Sequence, residues 1–402
     1  MSCWPDAALL IAATLMSWAD EPTIIDRFQG TRGVVGTVLP RGVEPGATYQ
    51  GFCKAMLSRG EALLEQARVH LRRHTRDLAG RWLKRMGFFA VAADGSRVLC
   101  PRTIANEEAF GLFGKDAASP QMNLVCLWHM GLGLNWDWRI SDSRTGERSL
   151  LLEMLGDLPE EALVVADAGF TGFNLLDTIH QSGRFFLVRV GSNVELLKEL
   201  GEYRREGHDT VYLWPEMHRE HRPLVLRLIR LGSVWLITNV LDRKRLSEAR
   251  ALKFYRLRWG VEVGFRTLKQ TLNRRKMRCA APRQARMELN WTMVGLTLLG
   301  LMSVTGIKRR RVDPLEWSPA AALRVIRLWR RKPCVSPRDA ASAKDQLLGL
   351  LARCVKDRYK RKHGKNSYNW PHKKNPSPPG APTLTTASKA VKAQAAQLRA
   401  AA

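Results

Sequence analysis

The sequence predicts a mixed α/β sheet flanked by helices, with a β-rich insertion and an N-terminal helical domain. Three observations predict it. Short strand-like runs divided by Gly or Asn follow one another after Phe88 and then alternate with helical stretches. Leu163 to Asp167, LVVAD, is a short continuous apolar run of the kind that a strand buried on both faces requires. From Val190 to Leu241 the helical period disappears, and a long helix then restores it.

Taken in order, residues 1–84 read as helical. Apolar positions recur at helical spacing in Ala7 to Trp18 and in Phe52 to Leu71, on either side of a Gly- and Pro-containing stretch from Gly30 to Gly46. Within residues 85–190, FFAVAADG, MNLVCLWHMGL and LNWDWRI give three strands and Glu147 to Leu155 a helix. LVVAD is the next strand, followed by Gly169, a helix from about Phe173 to Gln181 and a strand from Arg184 to Val190. That order describes a mixed sheet. The insertion, 191–241, carries the β-like runs VYLWP, LVLRLIRL and VWLITNV.

Residues 242–335 open with a long helix near Ser247, where Ser247 and Glu248 suit a first turn. Nothing breaks it strongly before about Asn273 apart from Gly260 and Gly264. Trp291 to Ile307 falls short of about 20 clean apolar residues and contains Gly295, Gly300 and Gly306, so it reads as a buried core helix. Residues 336–402 form a basic C-terminal region. From Lys356 onward, Lys, Pro, Ser, Gly and Ala dominate, and the expectation is a disordered tail.

The charge points to a partner. Lys and Arg number 65 against 37 Asp and Glu, a net charge of +28, so the surface draws polyanions and nucleic acid is favoured over a membrane. The 7 cysteines include no C-x-x-C pair, which excludes a zinc ribbon, and the histidines show no ligand spacing. No Lys or Arg precedes the apolar stretch Ala7 to Trp18, and Asp6 sits at its start, so no charged export leader is read. The expected compartment is the cytoplasm, at the nucleoid. GLG at Gly131 to Gly133 lacks the rest of a dinucleotide fingerprint, and there is neither a P-loop nor a nucleophile elbow.

The long helix carries the sharpest signal. Tyr255, Arg258, Glu262 and Lys269 fall within an arc of about 60° at roughly 100° per residue, so one face presents a phenol, a guanidinium, a carboxylate and an ammonium. The spacing alone also fits a solvated face with an Arg258–Glu262 ion pair. But YRLRWGVEVGFRTLK matches Tyr-x-x-Arg-x-x-x-Glu-x-x-x-x-x-x-Lys at every specified position, and in this it resembles the YREK-type transposases, the insertion-sequence-four-like family of DDE enzymes. VVADAGFTG is similar to that family's second-aspartate strand, AADGS to its first-aspartate strand, and VWLITNV to the segment before the signature helix. The resemblance covers roughly Phe88 to Asn273.

It implies a ribonuclease H-like catalytic core and an acidic triad, Asp94, Asp167 and Glu262, that binds two Mg2+ (or Mn2+) ions. The chemistry agrees. In-line attack on a phosphodiester needs charge stabilised on both the attacking and the leaving oxygen, and carboxylates are the ligands that hard ions prefer. Asp94 and Asp167 read as strand-end residues, and the ends of neighbouring strands in a mixed sheet meet at one edge, where a packed helix can deliver Glu262. Before the resemblance is weighed, Asp94 could be a simple turn former ahead of Gly95-Ser96, whereas Asp167 follows LVVA, where an uncompensated charge would be costly. Asp116, Asp137, Asp142 and Asp177 sit where surface solvation suits them.

Tyr255, Arg258 and Lys269 are expected to grip the DNA end, with Arg266 following the DNA backbone. Hairpin-forming members of the family place an aromatic in the insertion to stack on a flipped base. Trp214, beside a charged loop, is the candidate; Trp235 reads as core, and Trp128, Trp136, Trp138 and Trp259 as packing. The function expected is cut-and-paste DNA transposition through a hairpin, by a homodimer that pairs two ends. The alternatives left open are a ribonuclease H-like nuclease without strand transfer and a catalytically silent DNA-binding protein.

Overall fold

The computed structural model describes residues 4–39, 44–112, 119–331, 340–356 and 380–400. It divides into two compact units. Residues 1–85, 89–158 and 258–355 form the first, and 86–88, 159–257 and 356–402 the second.

The first unit begins with α1 (Asp6–Trp18), α2 (Ile24–Val38) and α3 (Tyr49–Ala79). Thr23 and Thr48 cap α2 and α3 by accepting the backbone N–H of Asp26 and Gly51. The glycine-bearing stretch expected to separate the helices is itself half helical, because α2 runs through Gly30, Gly33 and Gly36. Packing decides this: Phe28 and Val35 are buried, and the Phe28 ring meets those of Trp4, Tyr49 and Phe52, which outweighs a helix cost of roughly 1 kcal/mol per Gly.

β1 (Ala90–Leu99), α4 (Ile104–Phe110), β2 (Gln121–His129), β3 (Leu134–Ser141) and α5 (Glu147–Met154) follow. β2 pairs antiparallel with both β1 and β3. Its side chains are buried along almost the whole strand, as the near-continuous apolar run MNLVCLWH requires of a central strand.

The second unit holds β4 (Leu163–Ala166), α6 (Phe173–Gln181), β5 (Phe185–Val190), β6 (Glu195–Lys198), β7 (Thr210–Leu213), β8 (Leu224–Leu231) and β9 (Val234–Thr238). β4 and β5 are parallel, and β5 and β9 are antiparallel. The insertion is thus a set of β-strands, β6 to β9, that returns to the sheet beside β5. Along the chain three antiparallel strands are followed by a helix, a strand, a helix and a strand, the order expected from the sequence, with α4 added after β1.

α7 (Glu248–Arg266) is the signature helix, and it ends earlier than its sequence suggests, in a π turn from Thr267 to Thr271 where Leu272 N donates to Thr267 O at 2.9 Å. α8 (Pro282–Arg309) is long and apolar enough to cross a membrane by length and composition, but most of its apolar window is buried inside the protein. It is the first unit's core helix. α9 (Pro319–Arg330) and α10 (Ala340–Leu351) complete that unit.

The expected disordered tail is corrected in part. β10 (Thr383–Thr386) pairs in parallel with β6, and α11 (Lys389–Ala400) follows it. The backbone of LTT finds partners on an open strand edge, which a composition rule cannot foresee. Residues 357–379 of the tail, like Asp116, lie outside the described residues.

Candidate active site

Asp94 is not at a strand end, as its sequence suggested, but in the middle of β1, opposite Cys126 of β2. Its Oδ1 accepts the N–H of Gly95 at 2.9 Å, and its Oδ2 lies 3.6 Å from Nη1 of Arg258. One helical turn on, Nη2 of Arg258 donates to Oε1 of Glu262 at 3.1 Å. A strand and a helix therefore deliver two carboxylates to one guanidinium. Asp94 is 16% exposed and Glu262 30%, so both can be reached from solvent, while Arg258 is buried. The pair foreseen between Arg258 and Glu262 forms, but Arg258 serves Asp94 as well.

The helix is held in this position by a notch. Gly260 and Gly264, the residues that interrupt its pattern in the sequence, both lie against the buried Trp128 of β2. A Cβ on Gly264 would come within 2.7 Å of that ring, and one on Gly260 within 3.1 Å. Each glycine costs helix propensity of roughly 1 kcal/mol, and the close approach to the sheet offsets it. Beyond the π turn the chain is stitched to the Asp94 strand, where Leu99 N donates to Arg275 O and Met277 N to Leu99 O.

Asp167, in the second unit, directly follows β4 and caps the short helix Ala168–Phe170, its Oδ1 accepting Gly169 N at 2.9 Å. It is half-buried. Four buried apolar residues before it fix the strand, and the carboxylate stands where the strand ends.

Tyr255 is half-buried and Arg266 exposed on the same helix. Lys269 lies on the π turn, so the regular helical arc does not extend to it. Burial, and after it Arg275, lowers the Lys269 pKa, and an anion at that ammonium would relieve both.

Three aromatic and acidic expectations are corrected. Trp214 is buried, its Nε1 donates to His221 O at 2.7 Å, and the Arg219 guanidinium covers its ring 4.3 Å from the centroid, so no face is open to a base. Trp259, expected to pack, is 54% exposed on the signature helix next to Arg258. Asp137, expected at the surface, has no exposed side-chain area and is a charge centre of the first unit, with Arg68 and Arg72 of α3 and Arg139 of β3 around it.

The donors fit a hard divalent ion. Asp94 and Glu262 offer carboxylate oxygens alone, partly open to water, and converge on a point that the structure gives to a cationic group. Cys126 beside Asp94 offers no competing thiolate, since burial, with Asp94 and Asp137 adding to it, pushes its pKa up.

Comparison with known proteins gives three likenesses. The family model described as Transposase DDE domain matches residues 90–298, more than half the chain. A curated relative, Transposase InsG for insertion sequence element IS4 of Escherichia coli (strain K12), is 26% identical over 208 residues, 48% of this chain and 46% of the relative. The match thus spans about half the length of that relative. Among solved structures, the cryo-EM structure of the piggyBac transposase synaptic complex with hairpin DNA aligns over 91% of this chain and 79% of its own at 10% identity and a TM-score of 0.42, a likeness too slight to bear on function.

Proposed function

Because this chain belongs to the Transposase DDE domain family, we propose that it is a cut-and-paste transposase of the YREK type, acting at the ends of an insertion sequence through Asp94, Asp167 and Glu262. The observation that carries the proposal is the convergence of Asp94 and Glu262 on Arg258, 3.6 and 3.1 Å from its nitrogens. Two carboxylates of the triad are thereby joined by a group that a divalent cation can replace. The family, and the IS4 relative at 26% identity, support the same reading.

Two Mg2+ or Mn2+ ions held by the three acids would stabilise charge on the attacking and leaving oxygens of an in-line displacement. The chain's own residues do the rest. Arg258 neutralises Asp94 and Glu262, and with metal bound to those acids its guanidinium would be released to fork onto a phosphate. Lys269, whose ammonium is destabilised by burial, supplies a point charge to the same backbone; Tyr255 donates to a phosphate oxygen near the cut, and Arg266 follows the strand.

Hydrolysis at each end frees a three-prime hydroxyl. That hydroxyl attacks the opposite strand to give a hairpin, and after the hairpin is reopened it attacks target DNA. The base flipped during hairpin formation stacks on Trp259 rather than on the buried Trp214. Two ends are processed together, so the active assembly on DNA is a homodimer.

The test is cleavage of duplex DNA that carries the element's own ends, with Mg2+ or Mn2+, comparing the parent with Asp94→Asn, Asp167→Asn and Glu262→Gln. Nicking at the ends that each substitution abolishes while end binding survives is the expected result. Activity that persists in all three would overturn the assignment. End binding by the parent without any cleavage would point to a silent DNA-binding protein, and cleavage without joining to a plain nuclease.

A further inference from the structure

We propose that the turn His218–His221 in the β-rich insertion is a binding site for one divalent transition-metal ion, zinc by its ligand chemistry, held by His218, Glu220 and His221. One ligand atom from each of the three side chains lies within 4.8 Å of the others. Glu220 Oε1 stands 3.2 Å from Nε2 of His221 and 3.9 Å from Nδ1 of His218. Ligand atoms on a tetrahedral zinc, with bonds of about 2.0–2.2 Å, are roughly 3.3–3.5 Å apart. The first separation is already at that value, and the second needs a movement of about half an ångström that the exposed Glu220 can make.

The surroundings hold the ligands rather than leaving them to chance. His221 N donates to His218 O at 3.1 Å and closes the turn; His218 N donates to Pro215 O and Arg219 N to Glu216 O before it. The turn is then fastened to the core, because the buried Trp214 donates its Nε1 to His221 O. On the other side, the Phe173 ring at the start of α6 stacks on His218, with centroids 4.8 Å apart and planes at 15°, and more loosely on His221 at 6.2 Å and 24°. Both imidazoles are thus oriented before any ion arrives. His221 and Glu220 remain 58% and 62% exposed, so a fourth position faces solvent and would take water or an anionic oxygen.

Two imidazoles and a carboxylate with one open position suit zinc and its neighbours, whereas magnesium prefers oxygen ligands alone. The run His-x-Glu-His is too short for the usual paired-ligand patterns, so the sequence alone shows no ligand spacing here. This site is separate from the acids: DNA cleavage reports on Asp94, Asp167 and Glu262, and the measurement below reports on the turn, so either can fail alone.

The test titrates the full chain with Co2+ alone, following visible absorption, and then displaces it with Zn2+ in competition with a chromophoric chelator. An Asp167→Asn background removes a carboxylate of the catalytic triad as a competing ligand. One equivalent per chain, an absorption band of low-coordinate cobalt, and displacement by Zn2+ are expected. His218→Ala and His221→Ala should each weaken binding at least about tenfold, and Glu220→Gln should do so with all ring contacts retained. His208→Ala, an exposed histidine in the same insertion, should leave binding unchanged. Circular dichroism of the metal-free variants checks that they fold. Absence of binding at micromolar cobalt or zinc, or the same stoichiometry and affinity in His221→Ala and Glu220→Gln, would overturn the proposal.

Discussion

Two aspartates on the antiparallel strands of the first unit, Asp94 on β1 and Asp137 on β3, meet arginines in opposite ways. Asp137 is wholly buried and saturated: Arg68 donates to Oδ1 through Nε at 2.9 Å and Nη2 at 2.7 Å, Arg72 and Arg139 donate to Oδ2 at 3.0 and 2.9 Å, and Trp138 N donates at 2.8 Å. Arg72 and Arg139 also hold Asp157, which extends the network to the end of α5. Asp94 is partly open, and its Oδ2 lies 3.6 Å from the guanidinium that also holds Glu262. A charge buried without water must be neutralised completely by fixed partners, and once it is, nothing else can bind it. The teaching of the pair is that access to water, not residue type or strand position, separates a carboxylate that is closed off from one that is left open to a ligand.

The comparison breaks most sharply if the acids are exchanged in role. Asp94→Asn and Glu262→Gln should each lower end cleavage by about a thousandfold or more, on the order of 4 kcal/mol of barrier, with the urea midpoint nearly unchanged. Asp137→Ala should do the reverse, losing roughly 3–5 kcal/mol of stability because Arg68, Arg72 and Arg139 lose the buried carboxylate they share, as urea unfolding would measure. A midpoint shift for Asp94→Asn as large as that for Asp137→Ala would erase the distinction.

Acid should strain the buried side of the sheet next. His129 of β2 accepts Leu132 N on Nδ1 and faces Leu83 O with Nε2, so one nitrogen accepts and the other donates, as a neutral ring requires. Burial lowers its pKa from 6.5 to about 4. The unfolded chain therefore takes up the proton first: the stabilisation is full above pH 6.5 and is lost as pH falls toward 4, a cost of about 3 kcal/mol in unfolding free energy at the lower end. His129→Gln should flatten that part of the urea-midpoint profile against pH.

Gly264→Ala should push α7 off Trp128, lowering stability by about 1–3 kcal/mol and reducing cleavage further than the stability loss explains, since Glu262 moves with the helix. Trp259→Ala is the smallest change expected in the fold, within about 0.5 kcal/mol, yet it should slow hairpin formation in a gel assay, while Trp214→Ala should act through stability instead.

Much of this was written in the sequence because it depends on local pattern. The order of strands and helices from β1 to β5 apart from α4, the helix α6 from Phe173 to Gln181 and the β-rich insertion follow from apolar period and turn residues, which act over a few residues at a time. What local pattern cannot carry is the identity of the partner across the fold. Asp137 looked like a solvated residue because the arginines that bury it come mainly from α3, some 65 and 69 positions away. Trp214 and Trp259 exchanged expectations because exposure of a ring depends on what packs over it. The tail strand β10 formed because an edge of β6 was open to it. The sequence by itself determined the elements whose pattern is local, from β1 to α7 apart from α4; the tertiary structure alone decided which charges are neutralised and which stay open, because burial and pairing are set by residues far apart along the chain.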